Sequence, residues 1–265
     1  MTAQTMQAAG LFIGERLIEA APSNPEGHFE DIDFHILARA IIADNGYPDS
    51  GFLSDVRISV SSSRRREAEE LLAKRRALGI PWAWKDPRAV LLLDFWAELL
   101  PEAHFLFTFR APWDVMDSLY RRGDAACQDD PLLALRSWVH YNRVIRDFVR
   151  AVPTRSTVFE VGQIASDPRL CIKAVAAQMG ITLGTSVESF RPEHMSRVTD
   201  EAKVALAHAL SPEATRLYAE LCSMCGSEAA SRTRPSDRGL AIALERCLAQ
   251  WALSSAPPAA RAHGA

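Results

Sequence analysis

His104-Phe-Leu-Phe-Thr-Phe-Arg110 is the stretch that decides the fold. It is almost wholly apolar and lacks the in–out alternation of a half-exposed strand. Such runs are typical of strands covered on both faces in a parallel sheet. The run ends at Arg110, and Ala111-Pro112-Trp113 opens a helix with proline at its start. Upstream, Pro81 to Lys85 reads as a short strand. Asp86 then caps, and Pro87 begins, a helix reaching Leu100. Downstream, Leu135, Trp138, Val139, Ile145, Phe148, Val149 and Val152 recur at helical spacing between Leu132 and Val152. Thr157 to Val161 gives a further strand, and Pro168 to Met179 a further helix. Strands alternating with helices predict an α/β protein with a helix-flanked parallel sheet. In that architecture ligands lie at the carboxyl ends of strands.

Elsewhere the chain predicts a helix over residues 2–9 stopping at Gly10, and a loop from Pro22 to Gly27. A helix is expected from about Asp31 to Ala43. Residues 64–78 read as a charged helix whose narrow apolar side is Ala68, Leu71, Leu72 and Leu78. The expected organisation is one α/β domain over 1–225, a linker and last helix over 226–253, and a small-residue tail over 254–265. The 265 residues are 48% hydrophobic and 24% charged, which excludes a fibrous or largely disordered chain. Thirty Lys plus Arg against 33 Asp plus Glu give a net charge of −3, so no global field draws nucleic acid or an acidic membrane. No secretory leader or membrane-length apolar run is read, and the expected setting is cytoplasmic. The five cysteines include a lone Cys222-Ser-Met-Cys225 pair, read as spectator thiols rather than zinc ligands.

Two strand tips carry cations. One is Trp84-Lys85-Asp86-Pro87-Arg88 and the other is Phe109-Arg110. Ser118 lies two turns into the helix after Arg110. An arginine at a strand tip and a hydroxyl on the next helix can together clamp a phosphate; the bland alternative is a surface cation and an ordinary helical serine.

These residues resemble the sulfotransferases that use 3′-phosphoadenosine 5′-phosphosulfate (PAPS), above all their bacterial branch. The resemblance rests on four stretches in order: Pro22-Ser-Asn-Pro-Glu-Gly-His-Phe-Glu-Asp31, Trp84-Lys-Asp-Pro-Arg88, Phe105-Leu-Phe-Thr-Phe-Arg-Ala-Pro-Trp-Asp-Val-Met-Asp-Ser118, and Val158-Phe-Glu-Val-Gly-Gln-Ile-Ala-Ser-Asp-Pro168. It implies a three-layer P-loop-like fold and sulfuryl transfer from PAPS to a hydroxyl of a carbohydrate or other small molecule. Adenosine 3′,5′-bisphosphate would be the product, and no metal would be required. Arg110 and Ser118 would hold the 3′-phosphate; Arg88, on the same loop as Lys85, would help with anions or pair with Asp86. Lys85 would neutralise the bridging oxygen as the sulfuryl departs. Glu30 would deprotonate the acceptor, with Asp31 and His28 as rival bases.

One family feature is absent. The glycine-rich R-S-G-T-[ST] loop, whose backbone N–H groups bind the 5′-phosphosulfate, has no counterpart here. Residues 1–10 read as the helix following it, so the first strand and its loop are expected upstream of residue 1. A single lost oxyanion donor lowers a rate about 10²–10³-fold. A chain without the loop is therefore expected to turn over negligibly. Three readings stay open: a start placed too late, a fragment, or a non-catalytic sulfotransferase-like protein that binds a nucleotide or partner.

Overall fold

The computed structural model describes residues 2–20, 27–187, 197–230 and 236–255. The chain forms α1 (Thr2–Ala8), α2 (Ile32–Asp44), α3 (Ser62–Arg76), a 3-10 turn (Pro87–Leu92) running into α4 (Leu93–Leu99), β1 (Phe105–Phe109), α5 (Pro112–Arg122), α6 (Ala125–Asp129) and α7 (Leu133–Ala151). Then come β2 (Ser156–Glu160), α8 (Val161–Ser166), α9 (Arg169–Met179), α10 (Glu201–Leu210), α11 (Pro212–Met224) and α12 (Asp237–Ser255). It is a mixed α/β protein with a small parallel sheet flanked by helices. β1 and β2 pair in parallel, Phe105 opposite Ser156 through Phe109 opposite Glu160, and this ladder is a two-stranded sheet.

The predicted strand at Pro81–Lys85 needs correcting. Only Trp82 bridges, in parallel, to Phe12, with the Ala83 N–H donating to the Phe12 carbonyl at 2.9 Å. A continuous ladder requires a partner at strand spacing of about 4.8 Å. On the side facing β1, this segment meets a cavity instead. The cavity holds about 540 Å³ and is walled by Trp82, Trp84 and Lys85 on one side and Phe105, Phe107 and Thr108 on the other. Met6 of α1 and Trp96 of α4 also line it. β1 is thus an edge strand rather than an interior one, and its Thr108 is exposed.

Three apolar cores surround this arrangement. The largest joins Phe107, Phe109 and Val158 of the sheet to Trp113, Trp138, Phe148 and Tyr218 of the flanking helices. A second packs Phe34 and Ile41 of α2, Leu72 of α3 and Trp96 of α4, with Trp82 and Trp84 against them. Phe34 and Trp84 stack at 4.3 Å, and Trp96 meets Trp84 edge-on at 5.2 Å. The third joins Met6, Leu11 and Ile13 to Ile164 and Ile172. Each large apolar side chain buried this way contributes about 1.5–3 kcal/mol.

The α3 stripe also departs from expectation. Ala68, Leu71 and Leu72 are buried, but Arg75 continues the stripe while Leu78 is 37% exposed. Arg75 is admitted because its guanidinium donates to Asp31 Oδ2 at 2.7 Å and Asp33 Oδ2 at 3.0 Å. Its ring of charge also lies 5.9 Å over Phe34. Most of the expected loop from Pro22 to Gly27, part of the expected linker and last helix over 226–253, and the tail from 256 lie outside the described residues, as do residues 188–196.

Candidate functional site

Glu30 immediately precedes Asp31, the N-cap of α2, whose Oδ1 accepts the Asp33 N–H at 3.0 Å. The residue before it, Phe29, has a φ of +54°, a left-handed conformation that strains a non-glycine residue. Phe29 packs against the third core, which holds it there. The turn sends Glu30 inward, where its side chain is only 6% exposed. Lys85 reaches it from the end of the 81–85 segment, fifty-five residues away, with Nζ 2.5 Å from Glu30 Oε1. The same ammonium donates to the His28 carbonyl at 3.4 Å.

Asp86 stands beside this pair as the N-cap of the 3-10 turn. Its Oδ1 accepts the Arg88 N–H at 2.8 Å and the Arg88 guanidinium at 3.2 Å. Arg88 further donates to the Asp49 carbonyl at 3.0 Å and the Ser50 carbonyl at 3.3 Å, and lies 3.8 Å from Glu30 Oε2. Gly51 makes this approach possible. At its φ of +84°, an added Cβ would lie 3.2 Å from the Arg88 side chain and 3.3 Å from the Tyr141 hydroxyl. That hydroxyl donates to the Gly51 carbonyl at 2.6 Å, and burial pushes its pKa well above the usual phenol value. His35, on the second turn of α2, places Nδ1 3.3 Å from Glu30 Oε2 and 3.6 Å from Asp86 Oδ2.

The structure therefore brings Glu30, Lys85 and Arg88 together, and adds His35 and Asp86. It sets Arg110 and Ser118 elsewhere; neither lines the cavity that Lys85 and Asp86 line. Arg110 caps the tip of β1. Its guanidinium lies 4.0 Å from Asp114 Oδ2, and its carbonyl accepts the Trp138 indole N–H at 3.0 Å. Ser118 is half-buried on α5, the helix that carries Asp114. At the neighbouring tip, Glu160 ends β2 and caps α8, its Oε2 accepting the Gly162 N–H at 2.6 Å. Arg197 reaches the same place: a Cβ on Gly162 would lie 2.0 Å from its guanidinium. Asp114 accepts the Val198 N–H at 2.8 Å. Burial raises the pKa of both Asp114 and Glu160, with Arg110 and Arg197 pulling the other way.

Of the rival bases, Asp31 is fully buried, capping α2 and bonded to Arg75. His28 meets Lys85 through its backbone carbonyl. Sequence reasoning missed His35, which has no neighbour in sequence that marks it, and Arg197, a single cation in a loop. Asp86 was read as a cap and as a partner for Arg88, not as a neighbour of His35. Among the described residues, no helix is long and apolar enough to cross a membrane. Cys222 is buried, and its thiol is pushed up to about 11 by that burial, in keeping with a spectator.

No protein-family profile, curated protein or solved structure matches this chain.

Proposed function

We propose that the chain has the architecture of a PAPS-dependent sulfotransferase. Glu30 and Lys85 would act at the sulfuryl-transfer centre, and Arg110, with Ser118, would bind the nucleotide 3′-phosphate. The observation that carries this reading is the Lys85–Glu30 contact at 2.5 Å, which joins two residues selected separately for complementary roles. In transfer, Glu30 takes the acceptor hydroxyl proton as the oxygen attacks sulfur. Lys85 turns to the bridging oxygen as the bond to the phosphate breaks, which neutralises the leaving nucleotide. Lys85 is 44% exposed at its side chain, so it is free to make that turn. The 3′-phosphate would meet Arg110 at the carboxyl end of β1, where parallel sheets bind ligands. The transfer needs no metal, and the expected setting is cytoplasmic, with a hydroxyl-bearing small molecule or carbohydrate as acceptor.

The cavity between the 81–85 segment and β1 supports the three-layer, P-loop-like part of this reading. It lies between two short parallel pairings, with α1 and α4 contributing to its walls. Codons upstream of Met1 are the simplest check. An in-frame strand followed by R-S-G-T supports the proposal, and an immediate in-frame stop sinks the full-length version of it.

A second reading is favoured by the same contact. Lys85 and Glu30 neutralise one another, so a chain that keeps them locked is a nucleotide- or partner-binding protein without turnover. Incubation of a loop-bearing, upstream-extended form with PAPS and a panel of hydroxyl acceptors separates the two. Sulfated product that disappears in Glu30→Gln supports transfer. Nucleotide binding without product supports the non-catalytic reading.

A further inference from the structure

Glu30, His35 and Asp86 converge on one point in a way that the transfer reading does not use. One ligand-type atom from each lies within 4.8 Å of the other two, and His35 Nδ1 stands close to Glu30 Oε2 and Asp86 Oδ2. Each carboxylate is divided between two tasks. Glu30 Oε1 takes Lys85 and Asp86 Oδ1 takes Arg88, while the second oxygen of each turns to His35. Asp86 is the decisive residue. Its side chain is 1% exposed, yet Oδ2 has no hydrogen-bond partner. His35 Nδ1 is buried and equally without one, although two carboxylate oxygens stand close by. A buried polar atom left unpaired is costly to the fold. Two such atoms aimed at a common point share a missing partner.

The spacing identifies the partner. Zinc binds imidazole nitrogen at about 2.0–2.1 Å and carboxylate oxygen at about 2.0–2.2 Å, so the edges of its tetrahedron measure about 3.3–3.6 Å. The two edges from His35 Nδ1 are 3.3 and 3.6 Å. One imidazole and two carboxylates suit a borderline divalent cation better than calcium or magnesium, which favour all-oxygen shells. We propose that Glu30, His35 and Asp86 form a three-ligand site for a divalent zinc-class cation, its fourth position left for a water or other small ligand. Arg88 orients the Asp86 carboxylate from its far oxygen, as outer partners of metal ligands do. Lys85, held on the far oxygen of Glu30, opposes the cation electrostatically. The cation therefore competes with Lys85 for Glu30, and its arrival withdraws Glu30 from base duty. Only that consequence for turnover rests on the sulfotransferase reading; cation binding does not.

Cobalt(II) titration of tag-free protein, followed by visible absorption with zinc competition, tests the site. The expected result is a saturable tetrahedral cobalt spectrum that zinc displaces. His35→Gln should weaken cobalt at least tenfold, with its thermal unfolding unchanged. Lys85→Met should tighten cobalt severalfold by removing the competing ammonium, a change that a purely structural His35 would not produce. The proposal is overturned by absence of cobalt absorption in the wild-type chain, or by equal affinity in wild type and His35→Gln. Sulfur-to-cobalt charge-transfer absorption that Cys222→Ser removes and His35→Gln leaves intact overturns it as well.

Discussion

Two charge clusters, one at the tips of β1 and β2 and one at the end of the 81–85 segment, are finished differently. Around Arg110, each carboxylate is closed by backbone: Asp114 accepts Val198 N–H, and Glu160 accepts Gly162 N–H within a capping box that Gln163 completes. Around Lys85, the carboxylates of Glu30 and Asp86 keep one oxygen each for a cation and leave the other toward an unpaired histidine nitrogen. The first cluster is a satisfied structural corner that leaves the Arg110 guanidinium beside one carboxylate at 4.0 Å. The second carries local backbone strain at Phe29 and opens on the cavity. Backbone strain clusters at functional sites. On the proposed reading, nucleotide binding falls at the Arg110 end and chemistry at the Lys85 end.

Replacing Arg75 sharpens the contrast most. Arg75 closes the back of the Lys85 side by pairing with Asp31 and Asp33, and breaking a buried pair costs about 3–5 kcal/mol. Arg75→Met should lower unfolding stability by that amount in a urea titration. A loss under about 1 kcal/mol would mean that Asp31 tolerates being left alone, and would return it to the list of bases.

Lys85→Met comes next. On the transfer reading, the turnover of an active, loop-bearing form falls roughly 10²–10³-fold while nucleotide affinity stays near wild type. Equal losses in both would move Lys85 from the chemical step to binding and erase the division between the clusters.

A smaller effect separates the clusters by pH. Burial raises the pKa of Asp114 and Glu160, so the folded chain holds these protons more tightly than the unfolded one. Their stabilising contribution is complete below the unfolded carboxylate pKa of about 4 and is lost as pH climbs through the raised values. Asp114→Asn keeps the acceptor for Val198 but cannot ionise. Its melting temperature relative to wild type should rise between pH 4 and pH 7; a flat difference would show that Arg110 already offsets the burial. Smallest is Leu78→Lys, expected within about 0.5 kcal/mol of wild type by denaturation because the side chain is exposed.

Helices with strong apolar periodicity were legible in the sequence, α7 above all, as were the caps at Gly10 and Asp86. Their causes are local, so neighbours in sequence reveal them. Arg75 was not legible. An apolar stripe predicts Leu78 inside, and only Asp31, forty-four residues away, explains why a guanidinium takes that place. The 81–85 strand was legible as an extended segment but not as a strand, since pairing depends on what stands beside it. In the site, Glu30, Lys85 and Arg88 were found one at a time, and the fold brings them together. His35 escaped because its importance comes from Glu30 and Asp86 converging on it, a relation that no spacing records. Helix α8 was missed although Glu160 and Gln163 form its capping box, because the apolar run of β2 leads directly into it.

The division of labour between the two clusters is tested most directly by calorimetric titration of adenosine 3′,5′-bisphosphate into wild type and Arg110→Ala. Adenosine 5′-monophosphate, which lacks the 3′-phosphate, serves as the comparison ligand. The account predicts weak, saturable uptake of the bisphosphate by wild type, at least roughly tenfold weaker in Arg110→Ala, as for loss of a charged hydrogen bond. It also predicts that the monophosphate binds more weakly than the bisphosphate. No bisphosphate uptake by wild type, or equal uptake by both proteins, would contradict it.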